Sequence, residues 1–315
     1  AKMVEKVKEP EISVVDNIDK LVQKGSKALE KFRDYNQEEV DYIVAKASVA
    51  ALEQHGKLAK LAIDETKRGV FEDKATKNLF ACEHVINNMP HLKTVGIIEE
   101  DEVNGITTIA DPLGVICGIT PTTNPTSTTI FKSLIALKTR NPIIFSFHPS
   151  AIKCSIAAAE IVYEAAIKAG APKDCIQWIE KPSIEATNAL MNHEDIATIL
   201  ATGGNAMVKA AYSCGKPALG VGAGNVPAYV EKTCNIPQAA HDVVMSKSFD
   251  NGMVCASESG AIIDKEIYKD FVNELKTYHT YIVSAEEKTL LEKYVFGATA
   301  NSSQAKNAKL NPDVV

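Results

Sequence analysis

The chain has 315 residues, 45% hydrophobic and 23% charged, a composition that supplies a sizeable core and a length beyond one typical domain. Its net charge of −6 argues against a nucleic-acid partner, which calls for a basic face. The seven cysteines are scattered without a CxxC pair, which disfavours a disulfide framework or a structural zinc site. The start is charged and no apolar run reaches the about 18 residues that span a bilayer, so a soluble, cytoplasmic protein is expected.

In chain order, Ile18, Leu21, Val22, Ala28, Leu29 and Phe32 recur at helical spacing. Asn36 with Glu39 three residues on predicts a capping box, and Val40, Ile43, Val44, Ala47 and Leu52 extend the stripe. Further helical patterns cover 57–68 and 72–89. This N-terminal region is expected to be all helix, to cover a sheet and to carry no chemistry.

Asn104-Gly105 between β-prone segments predicts a hairpin over about 96–110, with both turn residues at positive φ. Its edges can pair with a second copy of the chain; an intramolecular hairpin alone is an equal reading. From Pro112 strands alternate with helices. Strands are expected at 113–119, 142–147, 175–179, 196–201 and 226–230, with helices at 126–138, 151–169, 183–192 and 205–214 between them. Apolar strands without polar alternation, separated by helices, mean an α/β doubly wound parallel sheet. A helix through Val243-Val244, a strand at 260–263, helices at 267–275 and 286–295, and a polar tail over 301–315 follow.

Ligands bind such sheets at the carboxyl ends of the strands, so the loops there carry the candidates. Ile119-Thr120-Pro121-Thr122-Thr123-Asn124-Pro125 places an amide where strand gives way to helix; it can point a donor at a ligand oxygen, or cap the helix. His148-Pro149 ends a strand. Thr202-Gly203-Gly204 enters a helix, where backbone N–H groups face an anion or a tight turn explains the glycines. Gly220-Val221-Gly222-Ala223-Gly224-Asn225 contains no GxGxxG, so the usual dinucleotide fingerprint is absent. Downstream, Asp250-Asn251-Gly252-Met253-Val254-Cys255 puts a cysteine just past a turn, a place for a reachable thiolate or for a small buried hydrophobe.

Taken in order, the 120–125 loop, His148-Pro149, Ala201-Thr202-Gly203-Gly204, the 220–225 glycine run and Asn251-Gly252-Met253-Val254-Cys255 resemble the aldehyde dehydrogenase superfamily. The pattern is most similar to its CoA-acylating (acetaldehyde) branch, in particular the N-terminal part of bacterial bifunctional aldehyde-alcohol dehydrogenases. The resemblance implies an NAD-dependent oxidoreductase that interconverts a short aldehyde and its acyl-CoA, with coenzyme A as cosubstrate. It implies Cys255 as nucleophile, and Asn124 with the Cys255 backbone N–H as oxyanion hole. Ile119, Thr120, Pro121, Thr122, Thr123, Asn124, His148, Gly203, Gly204, Gly220 and Gly222 would line the NAD site.

Hydrolytic members carry a water-activating glutamate in a Leu-Glu-Leu-Gly-Gly segment, where this chain has Gly220. A thioester on Cys255 would therefore await a thiol acceptor. The expected domains are 1–247 for NAD, comprising the helical region 1–95 and an oligomerisation hairpin, and 248–315 as an incomplete catalytic domain. A homo-oligomer or filament is expected as well. Two rival readings stay open: a phosphorylating or hydrolytic aldehyde dehydrogenase, and a non-catalytic assembly module.

Overall fold

A computed structural model describes residues 13–297; the polar tail expected over 301–315 lies outside them. Four helices come first: α1 (Val14–Phe32), α2 (Gln37–Glu53), α3 (His55–Thr66) and α4 (Phe71–Leu79). The last continues through a π-helical turn, Phe80–His84, into the short α5 (Val85–Asn87). The Asn36–Glu39 capping box forms in both directions, Glu39 N–H to Asn36 Oδ1 at 3.0 Å and Asn36 N–H to Glu39 Oε2 at 2.8 Å.

The hairpin follows as β1 (Gly96–Asp101) and β2 (Ile106–Ala110), paired antiparallel. Its turn departs from expectation. Gly105 has φ +65°, but Asn104 is not left-handed. The loop has four residues rather than two, and Asp101 Oδ1 accepts the N–H groups of Val103 and Asn104 at 3.1 Å each, which holds the turn without a second positive φ.

Next come β3 (Val115–Ile119), α6 (Pro125–Lys138), β4 (Ile143–Ser146), α7 (Ile152–Lys168), β5 (Ile176–Trp178), α8 (Ile184–Asn192), β6 (Ile196–Thr202), α9 (Asn205–Ser213) and β7 (Ala218–Val221). The five strands form one parallel sheet in the order β5-β4-β3-β6-β7. Side chains alternate between two cores, as the two-residue period of a strand requires. Val115, Cys117 and Ile119 of β3 join Ile18 and Val22 of α1 and Leu190 and Met191 of α8. Ile116 points the other way, with Ile43 and Val44 of α2, Ile130 and Leu134 of α6 and Val162 of α7. Each such buried side chain contributes roughly 1.5–3 kcal/mol. Helices on both faces of a parallel sheet make it doubly wound, as expected.

The fifth strand is a correction. It is 218–221, not 226–230. Val226–Val230 forms β8, which pairs in parallel with β9 (Glu258–Ile263) around α10 (Ile236–Ser248). With α11 (Tyr268–Leu275) and α12 (Ala285–Phe296) these elements form a second compact unit, Arg68–Asp73 with residues from Gly224 onward; the first is 1–67 with Lys74–Ala223. The expected boundary at 247/248 thus falls at 223/224, because β8 takes β9 as its partner. The second unit has a small core of Val230, Ala240 and Phe271. No described helix is long and apolar enough to cross a membrane.

Candidate active site

In the first unit the expected cofactor residues gather at the carboxyl ends of the strands. The strand order reverses between β3 and β6, and a crevice opens at such a switch point. Ile119 closes β3, and Thr120 N–H reaches the Ser146 carbonyl at the end of β4 at 3.4 Å. Gly203 N–H donates to the Val221 carbonyl at 3.1 Å, tying the loop after β6 to the end of β7. His148 lies two residues past β4, where its Nδ1 accepts the Ser150 N–H at 3.1 Å. A neutral imidazole bonded in this way carries its proton on Nε2.

This crevice contains buried polar atoms without a protein partner. Thr120 Oγ1 and Thr122 Oγ1 are both buried and make no hydrogen bond. Such hydroxyls are rare in a folded interior and suit a polar ligand in the 119–123 loop. Across the switch point Gly204 is the N-cap of α9, and a Cβ built on it would meet nothing within 4 Å. The N-cap thus borders open space, and the first N–H groups of a helix suit an anion such as a pyrophosphate. Gly222 is different: a Cβ there would stand 2.5 Å from Asn205 Oδ1.

Gly220 sits within β7, opposite Ala201. A Cβ there would fall 2.7 Å from both Tyr212 Cε2 and Val208 Cγ1. The Tyr212 hydroxyl accepts the Gly220 N–H at 2.9 Å, so the ring is held over the glycine. Tyr212 and Val208 occupy the room that a longer side chain at this position needs.

Asn124 is the N-cap of α6, with Pro125 as the first helical residue, yet its side chain makes no capping bond. Its Nδ2 donates to Thr123 Oγ1 at 3.0 Å, and its Oδ1 accepts from Lys77 Nζ at 2.5 Å. The capping alternative for this amide is therefore not met, and protein groups hold both of its ends instead. Lys74 Nζ holds the Thr123 carbonyl at 3.0 Å. Both lysines come from α4, in the region expected only to cover a sheet. Nothing local in the sequence marks them, because the buried face of α4 is itself polar, formed by Lys74 and Asn78.

A third lysine, also not anticipated, underlies the switch point. Lys132 of α6 is 4% exposed, and its Nζ donates to the Ile119 and Leu200 carbonyls at 2.6 Å each. It thus joins β3 to β6 just below both loops. Burial pushes this amine down to about 7.

In the second unit Cys255 is the one exposed cysteine of the seven. It occupies a turn closed by Ser257 N–H on the Val254 carbonyl at 3.0 Å. The expected turn before it is sharper than one glycine requires: Asp250, Asn251 and Gly252 have φ of +49°, +54° and +74° in succession. A left-handed non-glycine residue costs roughly 1–2 kcal/mol, less for Asp and Asn. Asp250 offsets that cost with fixed contacts. It is fully buried, its N–H donates to Asp73 Oδ2 at 2.8 Å, and its Oδ1 accepts the Val70 N–H at 2.7 Å. The chain then rises to β9, where Glu258 pairs with Val226.

Comparison with known proteins agrees with this architecture. The sequence profile described as the aldehyde dehydrogenase family matches residues 4–310. An aldehyde-alcohol dehydrogenase of Streptococcus pneumoniae is 71% identical over 299 residues, covering 95% of this chain and 34% of that protein. The chain thus spans about a third of the length of such curated relatives. Among solved structures, an acetylating aldehyde dehydrogenase of Geobacillus thermoglucosidasius superposes with a TM-score of 0.85 at 43% identity, over 95% of this chain and 69% of that one. A propionaldehyde dehydrogenase of Rhodopseudomonas palustris, with bound CoA and an acylated cysteine, gives 0.79 at 33% identity, over 91% and 66%.

Proposed function

Because the chain belongs to the aldehyde dehydrogenase family, we propose that it supplies the nucleophile and the cofactor cradle of a CoA-acylating aldehyde dehydrogenase acting on a short aldehyde such as acetaldehyde. One observation carries the choice of acceptor. Tyr212 and Val208 fill the space beside Gly220, so that position offers neither a carboxylate to activate water nor room for one.

In the oxidative direction the Cys255 thiolate forms a bond to the aldehyde carbon, and the carbonyl electron pair moves to oxygen. The Asn124 amide and the Cys255 backbone N–H stabilise that oxyanion, each donor contributing roughly 3–4 kcal/mol. NAD, when bound, supplies the acceptor for the hydride that leaves the same carbon. The carbonyl re-forms as a thioester on Cys255. The thiolate of CoA then adds to it, and the Cys255 sulfur leaves as thiolate. In reduction the order reverses: Cys255 displaces CoA from the acyl-CoA before hydride arrives.

The residues present suit a dinucleotide. Thr120 and Thr122 offer unpaired hydroxyls, Gly203-Gly204 opens the α9 N-terminus towards a pyrophosphate, and Ile119, Pro121, Thr123, His148, Gly220 and Gly222 stand at the same strand ends. In this way the parallel sheet would hold NAD without GxGxxG. Acyl product and acceptor are tested together in the full-length polypeptide: acetaldehyde and NAD with CoA should yield acyl-CoA, and without CoA little free acid. Free acid formed equally fast in either case would overturn the reading.

Self-association through the hairpin belongs to the same proposal. Ile97, Ile106 and Ile109 are at least half exposed on two paired strands with open edges. A second copy of the chain covers that apolar surface. Replacing Ile109 with Lys should lower the mass seen by light scattering, and an unchanged mass would sink the idea.

A further inference from the structure

Helix α4 turns one polar stripe to the loop that carries Asn124. Lys74, Lys77 and Asn78 lie three and four residues apart, so they share a face. Each has a partner in the 123–126 stretch beyond β3. Lys74 holds the Thr123 carbonyl at 3.0 Å, Lys77 holds Asn124 Oδ1 at 2.5 Å, and Asn78 Oδ1 accepts the Thr126 hydroxyl at 2.8 Å. Lys74 and Asn78 are buried at 3% and 0% exposure, and Asn78 Nδ2 is anchored on the His55 carbonyl at 2.9 Å. The stripe is a built contact, not a chance meeting of surface lysines.

A primary amide can be seated two ways round, and only one presents N–H groups to an oxyanion. The other presents a carbonyl oxygen, which repels it. An ammonium has donors and no acceptor, so the atom it holds must be the amide oxygen. Lys77 therefore determines which end of Asn124 turns away from α4. One amide hydrogen goes to Thr123 Oγ1. The second is left for a ligand. A cation on the carbonyl oxygen also draws charge from the nitrogen, and donors linked in this way strengthen one another.

We propose that Lys77 is a positioning residue for the reaction: its ammonium seats the Asn124 amide with nitrogen towards the substrate oxygen and strengthens the N–H that stabilises the tetrahedral oxyanion. This rests on the reading of Asn124 as oxyanion donor. Neither residue is paired by sequence, since 47 positions separate them.

The test uses the full-length polypeptide and the rate of CoA-dependent acetaldehyde oxidation. Lys77→Met should lower kcat about 10- to 100-fold, part of the about 10²- to 10³-fold loss for a missing oxyanion donor. NADH affinity, read by fluorescence titration, should stay within twofold. Lys77→Arg keeps a cationic donor and should recover part of the rate. In an Asn124→Ala background Lys77→Met should change kcat by less than about twofold, because the group it acts through is gone. An unchanged kcat in Lys77→Met, or the same fold loss with and without Asn124, overturns the proposal. Should Lys77→Met lose NADH binding through misfolding, the Lys77→Arg rate and its cycle with Asn124→Ala decide by the same criteria. An unimpaired Asn124→Ala enzyme defeats instead the oxyanion reading on which the proposal rests, so the two failures are told apart by the single variants.

Discussion

Two loops carry the candidate chemistry, and they are held in opposite ways. The 120–124 loop has no residue at positive φ; side chains from elsewhere pin it, Lys74 on Thr123, Lys77 on Asn124 and Lys132 below Ile119. The 249–255 loop is shaped by its own backbone, with three left-handed residues in a row and a buried Asp250 tied to Val70 and Asp73. A donor that must face one way needs an outside partner to choose its orientation. A sulfur that must be reachable needs a chain that turns sharply and leaves it exposed. Losing a lysine should therefore change rate more than fold, and disturbing the turn should change both.

The largest effect expected is at the exposed thiol. Cys255→Ala should lower CoA-dependent aldehyde oxidation by at least about 10³-fold, while a melting curve stays put, since surface changes alter stability by about 0.5 kcal/mol or less. A variant that keeps its rate would remove the second loop from the chemistry altogether. Asn124→Ala should cost about 10²- to 10³-fold in kcat, measured in the same assay.

Stability then separates the two loops. Asp250→Ala leaves the half-buried Val70 N–H unpaired and puts a less tolerant residue at positive φ, so denaturant unfolding should show a loss of about 2–4 kcal/mol, with rate falling alongside. Equal stability in that variant would mean the turn is not held as described. Gly220→Ala should cost about 1–3 kcal/mol by the same measurement, because Tyr212 and Val208 must yield to a new Cβ.

The remaining effect is a slope. Lys132 has its amine lowered to about 7 in the fold against an ordinary 10.5, so between those values the unfolded chain holds a proton that the folded chain has released. Stability from this group is then fully present above about 10.5 and is lost as pH falls through about 7, by up to about 1.4 kcal/mol per pH unit. Against Lys132→Met, the wild-type chain should gain relative stability as pH rises from 7 to 10; a flat difference would refute the shifted amine.

Much of this architecture is legible in the sequence where local physics decides it. Ile143–Ser146 and Val115–Ile119 are apolar without alternation because both faces are buried, and the Asn36–Glu39 box needs only residues three apart. Ala218-Leu219-Gly220-Val221 escaped because a four-residue strand with a glycine carries little periodic signal. Val226-Pro227-Ala228-Tyr229-Val230 reads as a fifth strand of the main sheet, but whether it pairs with β7 or β9 is a long-range choice. Cys255 and the strand-end loops stood out by order along the chain. Lys77 and Lys132 did not, since a lysine announces its role only when its acceptor, 47 or 68 residues away, is known.

The cysteine inventory has a practical consequence for counting competent molecules. Cys82, Cys117, Cys154 and Cys175 are buried and their thiols are pushed up to about 12, so at neutral pH they are protonated and shielded. Cys214 and Cys234 are half-covered. An alkylating reagent used briefly at low excess meets one open sulfur among the seven. The adduct mass then reports, molecule by molecule, what fraction of a preparation still carries a reduced thiol at 255, and on the proposed function an aldehyde or acyl-CoA should protect it from the label.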